Sequence, residues 1–312
     1  MRSEFAAKIG IVEQNLSQVI RGKNECMHLV LISMIAGGHT LLEDVPGTGK
    51  TTLAKSIARS IEGIFRRIQF TPDLLPADIT GSSYYNPRDG IFEYREGPVF
   101  ANVLLADEIN RTSPRTQSAL LEVMSENQIT VDGRRRDLPQ PFFVIATQNP
   151  SEFHGTYPLP EAQLDRFMVK VTMGYPEPED EIEILYSQNT SHPFDDLKPV
   201  VTCHDVLELQ ADVKTVNLDR TVAEYILRLV SATRKDSRLQ LSVSPRGSLA
   251  LYRTSQARAA LAGRDYVLPE DVRSLAVPVL AHRIGLDTRA RYSGVTAERV
   301  IEEILEETPV PR

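Results

Sequence analysis

The spacing of the hydrophobic residues divides this chain into two parts. In the first part, short apolar runs typical of buried strands alternate with segments whose apolar residues recur at helical spacing. Strands are predicted at residues 40–42, 65–70, 101–108 and 142–146, and helices at 4–19, 51–61 and 116–124. A strand such as 101–108, apolar until its last two residues, is typical of the centre of a parallel sheet. The first part is therefore predicted to be an α/β domain.

The second part has a helical pattern almost throughout. Two prolines among acidic residues at 175–180 mark the change in composition. Helices are predicted at 181–188, 204–213, 220–233, 246–262, 270–282 and 297–306, and residues 195–201 are predicted to be a loop. We therefore predict an α/β domain over residues 1–175 and an α-helical domain over residues 176–312.

Two β-hairpins are predicted as insertions in the α/β domain. The first joins residues 81–85 to 91–94 through a turn at 86–90 that contains Pro and Asp-Gly. Its aromatic residues either form a contact surface or only stabilise the cross-strand pairs of the hairpin; they are Tyr84, Tyr85, Phe92 and Tyr94. The second joins 129–131 to 134–138. Three arginines are predicted at its tip, in a solvated turn or in a basic loop that faces a pore or a partner: Arg134, Arg135 and Arg136.

Composition and charge narrow the functional classes. Of the 312 residues, 41% are hydrophobic and 25% are charged, which is ordinary for a soluble globular protein. Lys and Arg total 35 and Asp and Glu total 42, and the net charge of −7 argues against a globally basic surface for nucleic acid. Cys26 and Cys203 lack the paired spacing of a zinc site. No apolar run approaches the roughly 20 residues that span a bilayer. We expect a cytoplasmic protein without membrane insertion.

A glycine-bearing loop between the strand at 40–42 and the helix at 51–61 carries the clearest chemistry. Strand, loop and helix are the context of the phosphate-binding motif G-x-x-x-x-G-K-[ST]. Lys50 supplies a charge for the outer phosphates, and Thr51 supplies a hydroxyl for Mg²⁺. Asp44 occupies the first glycine position, which leaves the first turn of the loop in question but not the phosphate cradle. The predicted nucleotide-binding residues of this loop are Pro46, Gly47, Thr48, Gly49, Lys50, Thr51 and Thr52.

An apolar pair ahead of the loop has two interpretations. Val19 and Ile20 follow the helix at 4–19. They either close over the adenine ring of a bound nucleotide or pack only in the core.

Polar residues follow two of the other predicted strands. The strand at 101–108 ends in Asp107 and Glu108, and the strand at 142–146 is followed by Thr147-Gln148-Asn149. Ligands of open α/β sheets bind at the carboxyl ends of the strands. Asp107 is therefore predicted to hold Mg²⁺, and Glu108 to orient and deprotonate the attacking water. An amide after the second strand can bind that water or the γ-phosphate.

Four segments together resemble the MoxR family of AAA+ ATPases. They are Phe70-Thr71-Pro72-Asp73-Leu74-Leu75-Pro76, Asp107-Glu108-Ile109-Asn110-Arg111, Ala146-Thr147-Gln148-Asn149-Pro150 and Leu159-Pro160-Glu161-Ala162-Gln163-Leu164-Asp165-Arg166-Phe167. The resemblance extends from about residue 19 to 176 and weakens over the C-terminal third. It implies an AAA+ P-loop domain with a parallel central sheet and inserted β-hairpins, followed by an α-helical lid.

The resemblance also implies roles for single residues. Lys50 and Thr51 match Walker A, and Asp107 and Glu108 match Walker B. Three further residues have implied roles: Asn149 as sensor 1, Arg166 as the arginine finger that reaches a neighbouring subunit, and Arg246 as sensor 2. An intramolecular salt bridge with Asp165 or another acid is the alternative for Arg166. The two hairpins correspond to the helix-2 insert and the pre-sensor hairpin.

The implied function is ATP hydrolysis with Mg²⁺, coupled to remodelling or maturation of client proteins, including metal-cofactor insertion. The implied partners are further copies of the chain in a hexameric ring, a von Willebrand factor A domain protein and a client. A DNA-translocating motor is the alternative, and the net charge of −7 disfavours it. A nucleotide-gated scaffold without turnover is a third class, against which Glu108 and Arg166 argue.

Overall fold

The computed structural model of the protein describes residues 2–149, 156–187 and 193–311. Its strands, in chain order, are Thr40–Glu43 (β1), Phe65–Gln69 (β2), Gly81–Asn86 (β3), Ile91–Glu96 (β4), Val103–Asp107 (β5), Gln128–Val131 (β6), Arg134–Asp137 (β7), Phe143–Gln148 (β8), Val169–Val171 (β9), Leu239–Leu241 (β10) and Gly285–Leu286 (β11). Its α-helices are Arg2–Ser17 (α1), Asn24–Ile35 (α2), Lys50–Ser60 (α3), Pro76–Thr80 (α4), Pro114–Glu126 (α5), Glu161–Leu164 (α6), Pro178–Ser187 (α7), Pro193–Asp196 (α8), Cys203–Val213 (α9), Arg220–Thr233 (α10), Pro245–Leu261 (α11), Pro269–Leu280 (α12), Thr288–Tyr292 (α13) and Ala297–Glu307 (α14). Two 3₁₀ turns cover Ile109–Arg111 and Ala281–Arg283.

A five-stranded sheet forms the centre of the N-terminal part, in the order β2-β5-β8-β1-β9. All of its neighbouring strands pair in parallel. Every residue of β5 is buried, and so are all but the last residues of β8 and β1. These strands are nearly continuous apolar runs because helices cover both faces of the sheet. The predicted parallel central sheet is confirmed.

The two faces of the sheet belong to two apolar clusters, because successive side chains of a strand point to opposite faces. On one face Leu105 packs in the same cluster as Ile57 of α3 and as the helices of the C-terminal part. On the other face its neighbour Leu104 packs in the cluster that contains Leu120 of α5. The sheet is therefore held between α3 with the C-terminal helices on one side and α5 on the other.

The two predicted hairpins are present, as β3–β4 and β6–β7. Their contact with each other comes from two pairs: the Arg136 guanidinium lies 3.8 Å from the centre of the Tyr94 ring, and the Ser83 hydroxyl donates to the Asp132 carboxylate. On the outer part of β3–β4, Tyr85 and Phe92 pair across the strands with ring centres 5.4 Å apart. Phe92 is nonetheless 76% exposed. The aromatics thus stabilise their own hairpin and also leave an apolar surface in solvent.

The three arginines of the second hairpin lie on its second strand, within the predicted span 134–138, and not in a turn or loop at its tip. The turn is Asp132–Gly133, where both residues have φ in the left-handed region. The arginines instead form β7, and Arg135 pairs there with Asp137 at 2.8 Å. Asp and Gly tolerate positive φ far better than Arg does, which places the turn before the arginines.

The C-terminal part is helical, as its pattern predicts, and it also contains the unpredicted short helix α13 and two further additions. The first is α8, whose last two residues overlap the predicted loop at 195–201. The second is a small antiparallel sheet of β10 and β11. Residue 188, at the end of one predicted helix, and Pro150 lie outside the described residues. Within the described ranges, no helix has the length and apolar character needed to cross a membrane.

A buried histidine links the sheet to α5. His39 accepts a hydrogen bond at Nδ1 from the Val144 N–H (3.0 Å) and donates from Nε2 to the Met124 carbonyl (3.0 Å). This arrangement uses both ring nitrogens of the neutral form. Burial lowers the pKa of His39 from 6.5 to about 4. The folded protein therefore resists protonation of this ring.

We expect acid to destabilise the fold through His39. Between pH 6.5 and about 4 the unfolded chain binds a proton at this residue and the folded chain does not, so stability falls as the pH falls through this range. At 1.36 kcal/mol per pKa unit, the loss reaches about 3 kcal/mol. Urea unfolding at pH 7 and pH 4.5 measures it.

The matched variants are His39→Gln and His204→Gln, since His204 is exposed on α9. His39→Gln should lose much of the pH dependence of the free energy of unfolding, and His204→Gln should keep it. An unchanged pH dependence in His39→Gln would contradict this role.

Candidate active site

The loop between β1 and α3 has the backbone that a phosphate cradle requires. Gly47 and Gly49 have φ of 87° and 92°, in the region where residues with a Cβ are strained. No side chain caps the N-terminus of α3, so its first N–H groups are available to an anion. Lys50 Nζ donates to the carbonyls of Val45 (2.8 Å) and Asp44 (3.2 Å), across the loop. Thr51 and Thr52 occupy the first turn of α3.

Asp44, at the position where the motif has glycine, is buried and fixes the start of the loop. One carboxylate oxygen accepts from the Val45 N–H at 2.8 Å. The other accepts from the N–H groups of Met173 (3.1 Å) and Gly174 (2.9 Å), which follow β9. The side chain therefore ties the loop to the far edge strand, and the departure from the motif is a structural substitution.

A cavity of about 390 Å³ lies beside this loop. Its lining comes from the segment after α1, the phosphate loop with α3, the segment after β9, α7 and the start of α8. The lining includes Val19, Ile20, Gly47, Thr48, Gly49, Thr52, Glu181 and Ile184. Pro46, Lys50 and Thr51 are on the same loop and helix turn but outside this lining. Its size and partly apolar walls are typical of a small-molecule site.

The two predicted acids lie at the carboxyl end of β5. The buried Asp107 accepts from the Thr147 hydroxyl at Oδ1 (2.6 Å) and from the Arg67 guanidinium at Oδ2 (2.6 Å). Glu108 has a φ of 59°, and its carboxylate accepts from the Gln69 amide (2.6 Å) and Arg111 (2.9 Å). Both acids are thus held by neighbouring side chains.

Asn149, the predicted sensor 1, follows β8 and is buried. Because β8 lies between β5 and β1 and is parallel to both, its end lies between the acids and the phosphate loop. The Asn110 amide donates to the Asn149 carbonyl at 3.4 Å, which joins the segment after β5 to the segment after β8. The sheet therefore brings the loop, the acids and the amide to one edge.

Arg166 lies after α6 and is held by α5. Its guanidinium donates to the Leu121 carbonyl (2.7 Å) and to the Ser125 hydroxyl, in the last turns of α5. Across the described ranges Arg166 forms no ion pair, so the predicted alternative of a salt bridge with Asp165 is not formed. Both of its partners are neutral groups.

Asp165 instead forms one of the polar contacts between the C-terminal part and the α/β part. It accepts from Arg283 Nε (3.0 Å) and from the Ser244 hydroxyl (2.9 Å), and Arg246 lies 3.9 Å away. Arg283 is buried and also donates to the Phe167 carbonyl at 2.6 Å. Burial lowers the pKa of Arg283 to about 10, against the opposing attraction of Asp165. Arg246 is 56% exposed, so the predicted sensor 2 is held only loosely.

Sequence reasoning missed the side chains that hold the acids in place. Arg67 and Gln69 lie two residues apart and therefore share one face of β2. This spacing of two polar residues in a sheet strand was the available signal for a polar site. Thr147 was noted only as part of the polar segment after the strand predicted at 142–146, without a role, and Arg283 gave no signal because an Arg after a helix is an ordinary residue. Their roles depend on contacts between distant segments.

The chemistry of the site fits a nucleotide better than a resident metal centre. Within the residues described, no group of three or more His, Cys, Asp or Glu side chains could hold a metal ion. Mg²⁺ is commonly bound by one or two carboxylates together with substrate phosphates. The hydroxyl of Thr51 and the carboxylate of Asp107 are therefore a sufficient protein contribution for Mg²⁺ that arrives with a nucleotide.

Comparison with known proteins agrees with this geometry. A profile of the "ATPase family associated with various cellular activities (AAA)" matches residues 39–169, and a profile of the "AAA lid domain" matches residues 231–304. The chain is 40% identical to "Chaperone MoxR1" of Mycobacterium tuberculosis, over 99% of this chain and 84% of that protein. It belongs to the MoxR family of AAA+ ATPases.

Two further relatives of this MoxR-family protein match nearly its full length. The "Uncharacterized protein YeaC" of Bacillus subtilis is 50% identical, over 97% of this chain and 95% of its own. The crystal structure of a candidate ATPase from Cytophaga hutchinsonii superposes with a TM-score of 0.92 at 39% identity, and covers 100% of this chain and 97% of its own. The predicted family, the AAA+ fold with a lid, and ATP hydrolysis are confirmed, whereas the roles assigned to single residues remain predictions.

Two substitutions should separate ATP binding from ATP hydrolysis. Lys50→Ala should weaken ATP binding at least about tenfold, because the phosphates lose a charge-assisted partner in the loop. Glu108→Gln should bind ATP normally and lose about 10²-fold or more in kcat, the scale of a lost general base. Calorimetric titration with ATP and a steady-state phosphate-release assay measure the two effects.

Lys55→Ala is the control for charge, since Lys55 is exposed on the same helix α3. It should leave both affinity and kcat unchanged. Wild-type turnover in Glu108→Gln would remove Glu108 from the chemistry.

Proposed function

We propose that this MoxR-family ATPase hydrolyses ATP with Mg²⁺ held by Thr51 and Asp107, and with Glu108 as the group that activates the attacking water. The observation that carries the proposal is the convergence of the phosphate loop, the two acids and Asn149 at the carboxyl edge of one parallel sheet. That edge is where ligands of open α/β sheets bind.

Each residue has a role that its position supports. Lys50 neutralises the outer phosphates, and the N–H groups of the loop and of α3 bind their oxygens. When bound, Mg²⁺ supplies positive charge to the β- and γ-phosphate oxygens. Asn149 positions the attacking water, and Arg246 leaves Asp165 to contact the γ-phosphate. Val19 and Ile20 cover the base in the cavity beside the loop.

The proposed use of hydrolysis is remodelling or maturation of client proteins, including insertion of a metal cofactor. A relative named as a chaperone supports this assignment. The exposed pair of Tyr85 and Phe92 on the inserted hairpin supplies an apolar surface for a client. A von Willebrand factor A domain protein is the proposed second partner, and the proposed compartment is the cytoplasm.

The DNA-translocating alternative is less well supported. Of the three arginines on which it depends, Arg136 lies over Tyr94 and Arg135 pairs with Asp137. Two of the three are thus engaged within the chain. The net charge of −7 also opposes a long-range attraction to DNA.

The ATPase rate should therefore be insensitive to nucleic acid. Single- and double-stranded DNA titrated at low salt, where phosphate contacts are strongest, should leave kcat unchanged. A von Willebrand factor A domain protein from the same cell should change it. Several-fold stimulation by DNA that disappears in Arg134→Ala would favour the motor.

The active site is proposed to be complete only in a hexameric ring, with Arg166 acting on the nucleotide of the neighbouring subunit. The lid over residues 176–312 and the α/β domain over residues 1–175 are the proposed units of each subunit. Among the described residues, the Arg166 guanidinium hydrogen-bonds to a carbonyl and a hydroxyl on α5 and forms no ion pair. A guanidinium with neutral partners is free of the strong competition that a carboxylate would offer to a phosphate.

Mixing two inactive variants should restore activity. Arg166→Ala should bind ATP normally and lose about 10³-fold or more in kcat, as expected for an arginine finger given in trans. Mixed with Lys50→Ala, it should recover part of the rate, because an intact Arg166 then meets an intact Lys50 at some interfaces. Phosphate release by the mixture measures the recovery.

The control mixture is Lys50→Ala with Glu108→Gln, since both defects lie in the site of their own chain. It should stay inactive. If the Arg166→Ala and Lys50→Ala mixture co-assembles without recovery, Arg166 acts within its own subunit.

A further inference from the structure

A single hydroxyl connects the two acids of the active site. Thr147 lies on β8 and is 1% exposed. Its Oγ1 donates to Asp107 Oδ1 (2.6 Å) and accepts from the backbone N–H of Glu108 (2.8 Å). The directions are fixed, because a backbone N–H can only donate and the hydroxyl has one proton to give.

We propose that Thr147 is a positioning residue for ATP hydrolysis, which orients the Asp107 carboxylate and holds the backbone of Glu108. The inference rests on the proposed function, since it takes Asp107 as the Mg²⁺ ligand and Glu108 as the base. Thr147 touches neither nucleotide nor water in this role. It acts through the two acids.

The backbone of Glu108 needs such support. Its φ of 59° and ψ of 49° lie in the left-handed region, which is sparsely populated by residues other than glycine. Such conformations persist where the surrounding structure holds them. Two backbone hydrogen bonds do so: the Glu108 N–H to Thr147, and the Arg111 N–H to the Glu108 carbonyl at 2.9 Å.

The two oxygens of Asp107 have different surroundings. Oδ1 is held from the interior by the buried Thr147, and Oδ2 is held by Arg67, whose side chain is 46% exposed. An exposed arginine can move aside into solvent, whereas a buried hydroxyl on a central strand cannot. Thr147 therefore fixes the orientation of the carboxylate. Once Arg67 moves aside, Oδ2 is the oxygen that is open to a metal ion and its water.

The hydroxyl of Thr147 is not needed for the fold of its strand. Valine has nearly the same shape and an equal preference for strands. The neighbouring strand β1 shows the contrast. Its Thr40 is also fully buried, but the hydroxyl has no hydrogen-bond partner among the described residues.

The test compares Thr147→Val, Thr147→Ser and Thr40→Val. Thr147→Val should lower kcat by about 10–100-fold, the usual cost of removing a partner that orients a metal ligand. Thr147→Ser keeps the hydroxyl and should retain most of the rate. Thr40→Val removes a buried hydroxyl from the same sheet and should leave kcat unchanged. Thermal unfolding of each variant shows that the comparison is made on folded protein.

A second readout does not depend on turnover. In the Glu108→Gln background, ATP affinity is measured with and without Mg²⁺. Thr147→Val should leave the affinity without Mg²⁺ unchanged, because the phosphate loop is intact, and should reduce the gain from Mg²⁺ by about tenfold. If Thr147→Val does not fold, Thr147→Ala replaces it with the same expected results.

The results separate this inference from the proposed function. Wild-type kcat and a wild-type Mg²⁺ gain in Thr147→Val would overturn the role of Thr147. Equal losses in Thr147→Ser and Thr147→Val would also overturn it, since side-chain shape would then be the cause. Wild-type turnover in Glu108→Gln would instead overturn the proposed base, whatever Thr147→Val shows.

Discussion

Parallel pairing of β1, β8 and β5 is the constraint on which the rest of the structure depends. Three segments far apart in the sequence, beginning at Asp44, Glu108 and Asn149, leave the sheet at the same edge because their strands run in the same direction. The loop that binds the phosphates and the acids that act on those phosphates must lie next to each other. The pairing of these buried strands fixes the distance between the loop and the acids, whatever functional side chains they carry.

The helical part is joined to this edge by a second constraint. Arg283 is buried, and its charge is balanced by Asp165, which precedes Arg166. Removing one partner of a buried ion pair is strongly destabilising, because the other charge is left without compensation. The same carboxylate receives Ser244 at the start of α11. Asp165 therefore fastens two elements of the lid to the segment that carries Arg166.

The sequence predicted those features that depend on local pattern. The phosphate loop, the acids after β5 and the hairpins all have local signatures in glycine, carboxylate or turn residues. The partners of Arg67, Thr147 and Arg283 could not be predicted, because each side chain acts across 40 or more residues on a group that only the fold brings near. The error on the second hairpin was of a different kind. Asp132–Gly133 gave a clear turn signal and a strand was predicted at 134–138, yet the arginines of that strand were also expected at the tip of the hairpin.

The position of Asp44 has a consequence for how small this ATPase can be made. The match to the AAA family profile ends at residue 169. The Asp44 carboxylate, which holds the start of the phosphate loop, nevertheless accepts hydrogen bonds from the backbone of Met173 and Gly174. A chain cut at the end of the profile would contain the residues matched to Walker A, Walker B, sensor 1 and the arginine finger, and would still lack both of these bonds. For this protein, a nucleotide-binding unit that keeps these two hydrogen bonds must extend at least to Gly174, beyond the end of the sequence match.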